Sequence, residues 1–340
     1  MKNTVLLFTV LLLLGSCTSD YRNALPSRLA AVLCAPPSSL GSFGLPDLSA
    51  SGMSSDADLY LFETSDGYYG LLAEVSDAEK TKAWLVRQGQ SDVMSRDDKT
   101  FVSFDNGFVA GLSSGALLVM GPVAPGSQKS FIRRMTSLLD RREPSESPLY
   151  HRLQGVEGGI RLVARSSAFP RQYVAPLVVG IPAGTSVDDV LFEARVRLSD
   201  RQLDVVVTPF SFDKRTDASL QQVRSSLKPL HRSSSPSLSA ADRMVFYFHT
   251  DGDTLLQQLR RDEVLRVLLA SAGDQELAGA DAHHAIVIDR RGHPRITSDR
   301  PCFPSDLHPR LYAVVRTDSI DQPFLSRYLG HIRLVTIAVE

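Results

Sequence analysis

A short recurring unit constrains the fold of this chain more than any other feature. An apolar, strand-like run at 70–75 leads through Ser76-Asp77 into a predicted helix over Ala78–Gln88. The same order returns at two later runs, each followed by helical spacing of apolar residues: 244–248 with 255–269, and 311–315 with 324–329. Because Ser, Thr and Asp satisfy the free backbone donors of a helix start, these steps are interpreted as helix N-caps.

Hairpin signals join many of the other strand-like runs. Gly-containing turns at 65–67, 105–107 and 290–292 suit the positive φ angles that tight hairpins need. The further strand-like runs are 30–35, 59–63, 100–104, 108–111, 116–120, 160–164, 177–181, 190–198, 203–207, 285–289 and 332–339. Hairpins mixed with strand-to-helix crossovers predict an α+β fold with mixed, largely antiparallel sheets and helices packed on one face.

Two Ser/Pro-rich stretches divide the pattern. Residues 141–148 follow a predicted helix over 130–139, and residues 233–237 follow another that ends near Leu230. Such composition is typical of loops and linkers. Since 340 residues suffice for two domains, a boundary at the first stretch predicts an N-terminal α+β domain over 30–145 and a C-terminal α+β domain over 146–340.

The N-terminus has the pattern of a lipoprotein leader. Lys2 supplies a positive charge, residues 5–14 an apolar run, and Leu14-Gly15-Ser16 the approach to Cys17. The apolar run is shorter than the roughly 20 residues that cross a bilayer, so a retained transmembrane helix is the weaker alternative. The pattern predicts a signal peptide over residues 1–16.

Lipidation of Cys17 would place the protein in the cell envelope, with acyl chains such as palmitate in the membrane. Residues 17–29 would then be the lipidated tether and the start of the first domain, with a polar tether over 18–23. We expect an outer-membrane protein that faces the periplasm or the surface, with an envelope protein as a possible partner. The formal net charge of −1 argues against a nucleic-acid partner, which needs a positive field.

Two further cysteines, Cys34 and Cys302, admit two interpretations. In an oxidising compartment they form a possible disulfide that would tie the start of the fold to its end. Each also lies among apolar residues, where a thiol behaves as a small hydrophobic side chain. Their wide separation, with no CxxC pair, argues against a zinc site built on them.

Two serine motifs match hydrolase spacings. Residues 111–115 have the GxSxG spacing of a nucleophile elbow around Ser113, but a strand-like run follows where a helix is needed. We therefore expect Ser113 in a β-hairpin without a catalytic role. Ser225 and Lys228 have the SxxK spacing of penicillin-recognising enzymes, without the other motifs of that class.

Four histidines, His283, His284, His293 and His308, lie within one C-terminal stretch. Adjacent His283 and His284 would point to opposite faces of a strand, so both cannot bind one metal ion on a regular backbone. They are interpreted as surface histidines beside a hairpin, and we expect neither a metal site nor a cofactor.

Three features can be compared with a known family: the leader that ends at Cys17, the start over residues 21–26 with its following strand at 30–35, and the strand, Ser-Asp, helix step at 75–85. Together they resemble uncharacterised bacterial envelope lipoproteins with a large domain of unknown function. The resemblance covers about the first third of the chain. It implies a surface or periplasmic lipoprotein and carries no site residues.

From the sequence we expect a lipid-anchored envelope lipoprotein that acts as a non-catalytic binding or structural module, and not an enzyme. The alternative is a periplasmic or surface serine hydrolase that uses Ser113 or Ser225 with a histidine as base.

Overall fold

The structure is a computed structural model that describes residues 20–39, 48, 50–88, 93–169, 186–199, 201–234, 238–250, 282–297, 299–317 and 332–340. The chain divides into unit 1, Met1–Ser38 with Pro46–His151, and unit 2, Ser39–Leu45 with Arg152–Glu340. The predicted domain boundary lies between residues 145 and 146, and the division in the structure falls between His151 and Arg152. The predicted leader with Cys17, the strand at 177–181 and the helices over 255–269 and 324–329 lie outside the described residues.

In its described part, unit 1 contains seven strands that pair in antiparallel fashion: β1 (Leu29–Ala35), β2 (Leu59–Thr64), β3 (Tyr69–Glu74), β4 (Val93–Arg96), β5 (Lys99–Ser103), β6 (Val109–Leu112) and β7 (Ala116–Gly121). Their order in the sheet is β1-β2-β3-β7-β6-β5-β4. The predicted hairpin turns are confirmed, with Gly67 at φ 84° and Gly107 at φ 81°. Glycine adopts these angles without a Cβ clash.

Helices cover the unit 1 sheet around β6. Helix α1 (Ala78–Gln88) has the predicted bounds, and α2 (Gln128–Leu139) begins two residues earlier than expected. The Asp77 carboxylate accepts a hydrogen bond from the Lys80 N–H at 3.0 Å, so the predicted N-cap of α1 is confirmed. Both helices contact β6. All four β6 residues are buried, so both faces of this strand are shielded.

The segment before β1 is part of the folded unit. A 3₁₀ turn over Tyr21–Ala24 buries Tyr21 and Asn23. The Tyr21 hydroxyl donates to the Asp58 carbonyl at 2.7 Å, and the Asn23 amide donates to the Arg142 carbonyl at 2.8 Å. The interpretation of residues 18–23 as a polar tether is therefore wrong for Tyr21 and Asn23, because both side chains have fixed partners in unit 1.

The Ser/Pro-rich stretch at 141–148 is packed rather than a loose linker. Ser145 and Ser147 are fully buried. The Ser145 hydroxyl donates to the Pro26 carbonyl at 3.3 Å, and the Arg141 guanidinium donates to the Leu25 carbonyl at 2.9 Å. Small polar side chains can be buried where backbone carbonyls of another segment accept their hydrogen bonds. A short helix, α3 (Pro148–Gln154), follows directly and was not expected.

The described part of unit 2 contains eight strands: β8 (Ile160–Arg165), β9 (Leu191–Leu198), β10 (Gln202–Phe210), β11 (Asp242–Thr250), β12 (Ala282–Asp289), β13 (Pro294–Thr297), β14 (Leu311–Arg316) and β15 (Leu334–Val339). Their order is β13-β12-β11-β14-β15-β10-β9-β8. Neighbouring strands are antiparallel except β10 and β15, which are parallel. The predicted α+β class with a largely antiparallel sheet is confirmed.

Two apolar clusters stabilise the described part of unit 2. The larger one joins β11, β12 and β14 through side chains that include Val245, Val287 and Tyr312. The smaller one includes Phe192 on β9, Val207 on β10 and a residue of α4 (Lys214–Ser226). The Asp213 carboxylate caps α4 by accepting from the Thr216 N–H at 2.8 Å. Among the helices in the described residues, none is long and apolar enough to cross a bilayer.

Strand β4 shows how an unpredicted element forms. It pairs with β5 through the two-residue turn Asp97-Asp98, whose φ angles are 49° and 59°. Both turn residues therefore adopt the left-handed conformation of a type I′ hairpin, for which glycine and asparagine are preferred. The turn contains no glycine, so the sequence lacked the signal that revealed the other hairpins.

This turn gives a test of backbone strain. Replacing Asp98 with glycine should raise the free energy of unfolding by about 0.5–1 kcal/mol, because glycine adopts positive φ without a Cβ clash. Asp98→Ala should lower it by a similar amount, about 0.5–1 kcal/mol. Urea denaturation of both variants and the wild type measures the difference. A wild-type midpoint for both variants would show that the turn is unstrained.

Candidate functional site

Ser113 lies in the hairpin between β6 and β7, as predicted. The two strands pair with Leu112 opposite Leu117. The Ser113 hydroxyl donates to the Ala116 carbonyl at 3.3 Å and accepts from the Ala116 N–H at 3.1 Å. A serine nucleophile would instead be hydrogen-bonded to a general base. The Ser113 hydroxyl is therefore hydrogen-bonded to the backbone of its own turn.

The first glycine of the GxSxG motif has a packing role. A Cβ atom on Gly111 would lie 2.8 Å from a ring carbon of Phe101 and 3.0 Å from Cδ1 of Leu139. A Cβ atom on Gly115 would have no neighbour within 4 Å. The Phe101 ring and the Leu139 side chain pack so closely on Gly111 that a side chain there would force them to shift, whereas the position of Gly115 has room for one.

The two glycines form a matched pair for a stability experiment. Gly111→Ala should lower the free energy of unfolding by about 1–3 kcal/mol, the usual range for an overpacked core. Gly115→Ala should change it by less than about 0.5 kcal/mol, as at an ordinary surface position. Chemical denaturation of the two variants measures the contrast, and equal effects would contradict the packing role.

Ser225 and Lys228 do not form a serine–lysine pair on one helix. Ser225 lies in the last turn of α4, and its hydroxyl donates to the Gln222 carbonyl at 2.7 Å. The helix ends at Ser226, and Leu227 is extended at φ −82° and ψ 133°. Lys228 therefore lies beyond the helix, where its N–H donates to the His249 carbonyl at 2.8 Å.

Neither Cys34 nor Cys302 is in a disulfide. Cys34 is buried in β1 of unit 1, and its Sγ donates to Oδ2 of Asp58 at 3.2 Å. Cys302 is half-buried and belongs to unit 2. The possible disulfide is thus absent from the structure, and the two cysteines lie in different units. Cys17, the predicted lipidation site, lies outside the described residues.

The interpretation of His283 and His284 as surface residues is wrong. Both are buried, because β12 lies between β11 and β13. Their rings have different neighbours: His284 packs against Phe248 with centroids 5.9 Å apart, and His283 packs against His249. The other two predicted candidates, His293 and His308, are exposed.

The structure brings three histidines together in unit 2: His231, His249 and His283. The antiparallel register of β11 and β12 places His249 directly opposite His283. His231 follows α4 on a segment that forms an isolated bridge between Lys228 and His249. We call these residues the histidine cluster. Within the described residues, one ring nitrogen from each of the three lies within 4.8 Å of the others.

The rings of the histidine cluster are in contact. The His249 and His283 rings are stacked, with centroids 4.2 Å apart and planes at 14°. The His231 ring lies 5.5 Å from that of His249 and 5.2 Å from that of His283, tilted against both. His249 and His283 are buried, whereas His231 is exposed. The cluster therefore has two rings within the fold and one at the surface.

Backbone groups select the tautomer of the two buried rings in their neutral form. Nδ1 of His249 lies 3.1 Å from the Pro229 carbonyl. A carbonyl only accepts, so Nδ1 carries the proton and Nε2 the lone pair. Nε2 of His283 accepts from the His231 N–H at 3.0 Å, so the proton of that ring is on Nδ1. Each tautomer is thus set by the segment that carries His231.

The electrostatic surroundings keep His283 neutral. Burial is the main cause, followed by the neighbouring His249 and Arg300, and together they lower the pKa of His283 to about 4. A neutral imidazole is the form that binds metal ions and accepts hydrogen bonds. At neutral pH the ring therefore offers a lone pair.

Sequence reasoning missed His231 and His249 as candidates. His249 follows the strand-like run at 244–248, and only its pairing with the strand at 285–289 brings it to His283. The partner strand and the register are not encoded in local spacing. A histidine at the end of each of two strands was the available signal, and it predicts proximity only when the strands are neighbours.

Neither a protein-family model nor a curated protein matches the chain. Among solved structures, the chain is similar to crystal forms of the Treponema protein TP0453. Form IV has 8% identity and a TM-score of 0.35, over 53% of this chain and 77% of that chain. Form I has 10% identity and a TM-score of 0.36, over 53% and 75%. At these identities and TM-scores, neither the fold nor the function of TP0453 can be assigned to this chain.

Proposed function

We propose that the chain is a lipid-anchored protein of the cell envelope that acts as a non-catalytic binding or structural module. The observation that carries the anchor is the leader pattern: a basic residue, an apolar run over 5–14, and Leu14-Gly15-Ser16 before Cys17. Diacyl or triacyl modification of Cys17 would hold the protein stably at a membrane, since two or more chains are needed for stable anchoring.

The hydrogen bonding of the two candidate nucleophiles supports the non-catalytic part of the proposal. The hydroxyls of Ser113 and Ser225 both bond to backbone groups of their own turn or helix. A serine hydrolase needs the nucleophile, a base and oxyanion donors assembled around one reacting atom.

Lipidation can be tested with one substitution and a matched control. Wild-type protein expressed in a bacterium fed an alkyne fatty acid should carry the label and sediment with membranes. Cys17→Ser should lose the label and remain uncleaved or become soluble, because the thiol that accepts the lipid is gone. Cys302→Ser, a cysteine change elsewhere in the chain, should be labelled as the wild type is. Equal labelling of the wild type and Cys17→Ser would contradict the proposed lipidation of Cys17.

The absence of serine catalysis has its own test. Purified protein should show no covalent labelling by a fluorophosphonate probe, because an unactivated serine hydroxyl reacts too slowly. The variants Ser113→Ala and Ser225→Ala should match the wild type, with the exposed Ser114→Ala as a control for the Ser113 turn. Labelling of the wild type that disappears in Ser113→Ala or Ser225→Ala would show instead that the protein is a serine hydrolase.

A further inference from the structure

The histidine cluster has the ligand set of a transition-metal site. Imidazole nitrogen is a preferred ligand of Zn²⁺ and neighbouring transition metals. Three histidines with an open fourth position are one known arrangement for zinc. Here three different segments supply the rings: the segment after α4, the end of β11 and the start of β12.

The spacing allows the nitrogens to converge. At a Zn–N distance of about 2.0–2.1 Å, tetrahedral ligand atoms are about 3.4 Å apart. The three ring nitrogens already lie within 4.8 Å of one another. The His249 and His283 rings are stacked with their planes at 14°, so at least one of them must rotate about its side-chain torsions before both lone pairs can point at one ion. The β11–β12 backbone register holds both residues in place meanwhile.

One hydrogen bond already orients a ligand as metal sites require. Metal-binding histidines usually donate their other ring N–H to a carbonyl or carboxylate, which fixes the tautomer. Nδ1 of His249 does this with the Pro229 carbonyl at 3.1 Å, leaving the lone pair on Nε2. The carbonyl belongs to the same segment as His231, so one short stretch both orients one ligand and supplies another.

The His283 lone pair has a partner that an ion can replace. In the structure Nε2 accepts from the N–H of His231 at 3.0 Å. This hydrogen bond is only partly buried, so water can hydrogen-bond to the His231 N–H once an ion occupies the lone pair. The surface position of His231 also gives the ion a path to the two buried rings and leaves a coordination position facing solvent.

We propose that His231, His249 and His283 bind one divalent transition-metal ion of the Zn²⁺ type, with a fourth position open to solvent. This metal site is independent of the proposed membrane anchor and of the absence of serine catalysis. If Cys17 proved not to be lipidated, the proposed metal site would be unaffected. If the protein failed to bind zinc, the proposed anchor would be unaffected.

The test is a zinc titration of the full-length protein, purified in detergent with a tag that contains no histidine. Isothermal titration calorimetry should show saturable binding of one Zn²⁺ per chain. His231→Ala should weaken the affinity at least about tenfold, the lower end of the effect of disturbing even the groups that orient a ligand. His308→Ala, an exposed histidine of unit 2 outside the cluster, should bind zinc as the wild type does.

Two further measurements keep the result independent of folding. Circular dichroism and thermal melting confirm that His231→Ala, which changes an exposed side chain, remains folded. Co²⁺ in place of Zn²⁺ should give the visible absorption of a four-coordinate site in the wild type, and His249→Gln or His283→Gln should abolish it. The proposal is overturned if folded wild-type protein shows no saturable binding, or if His231→Ala binds zinc with wild-type affinity.

Discussion

Unit 2 depends on one parallel strand pair. Strands β8, β9 and β10 form one antiparallel block, and β15, β14, β11, β12 and β13 form another. Among the strands that the structure describes, the pairing of β10 with β15 joins the two blocks. Asp204 and Thr336 are opposite each other in this pair, and the Thr336 hydroxyl donates to the Asp204 carboxylate at 2.5 Å. This polar contact favours one register, because a shifted strand would separate the buried Thr336 hydroxyl from the Asp204 carboxylate.

The histidine cluster lies in the second block, and its geometry follows from strand register. His249 meets His283 because β11 and β12 pair in antiparallel fashion with these residues opposite. A shift of one residue would turn His283 to the other face and present its neighbour His284 instead. Buried Val245 and Val287 oppose such a shift, since it would carry apolar side chains away from the unit 2 core. Packing of the core therefore sets the positions of the candidate metal ligands.

The sequence predicted local features well and non-local ones poorly. The N-cap at Asp77 and the hairpin at Gly107 follow from residue preferences that act within a few positions. The hairpin at Asp97-Asp98 was missed because its positive φ angles lack the usual glycine. His231 and His283 were not associated because their proximity depends on which strands become neighbours. Long-range pairing is decided by the whole core, so a motif search cannot reveal it.

The turn over Tyr21–Ala24 limits the length of the segment that could connect unit 1 to a lipid at Cys17. The Asp20 carboxylate caps this turn by accepting a hydrogen bond from the Arg22 N–H at 3.0 Å. On the proposal that Cys17 carries the lipid, two residues lie between it and Asp20, and the three residue-to-residue steps span about 10 Å at most when extended. Unit 1 would then rest against the lipid headgroups. On that proposal, partners and ions would meet unit 1 at the membrane surface itself.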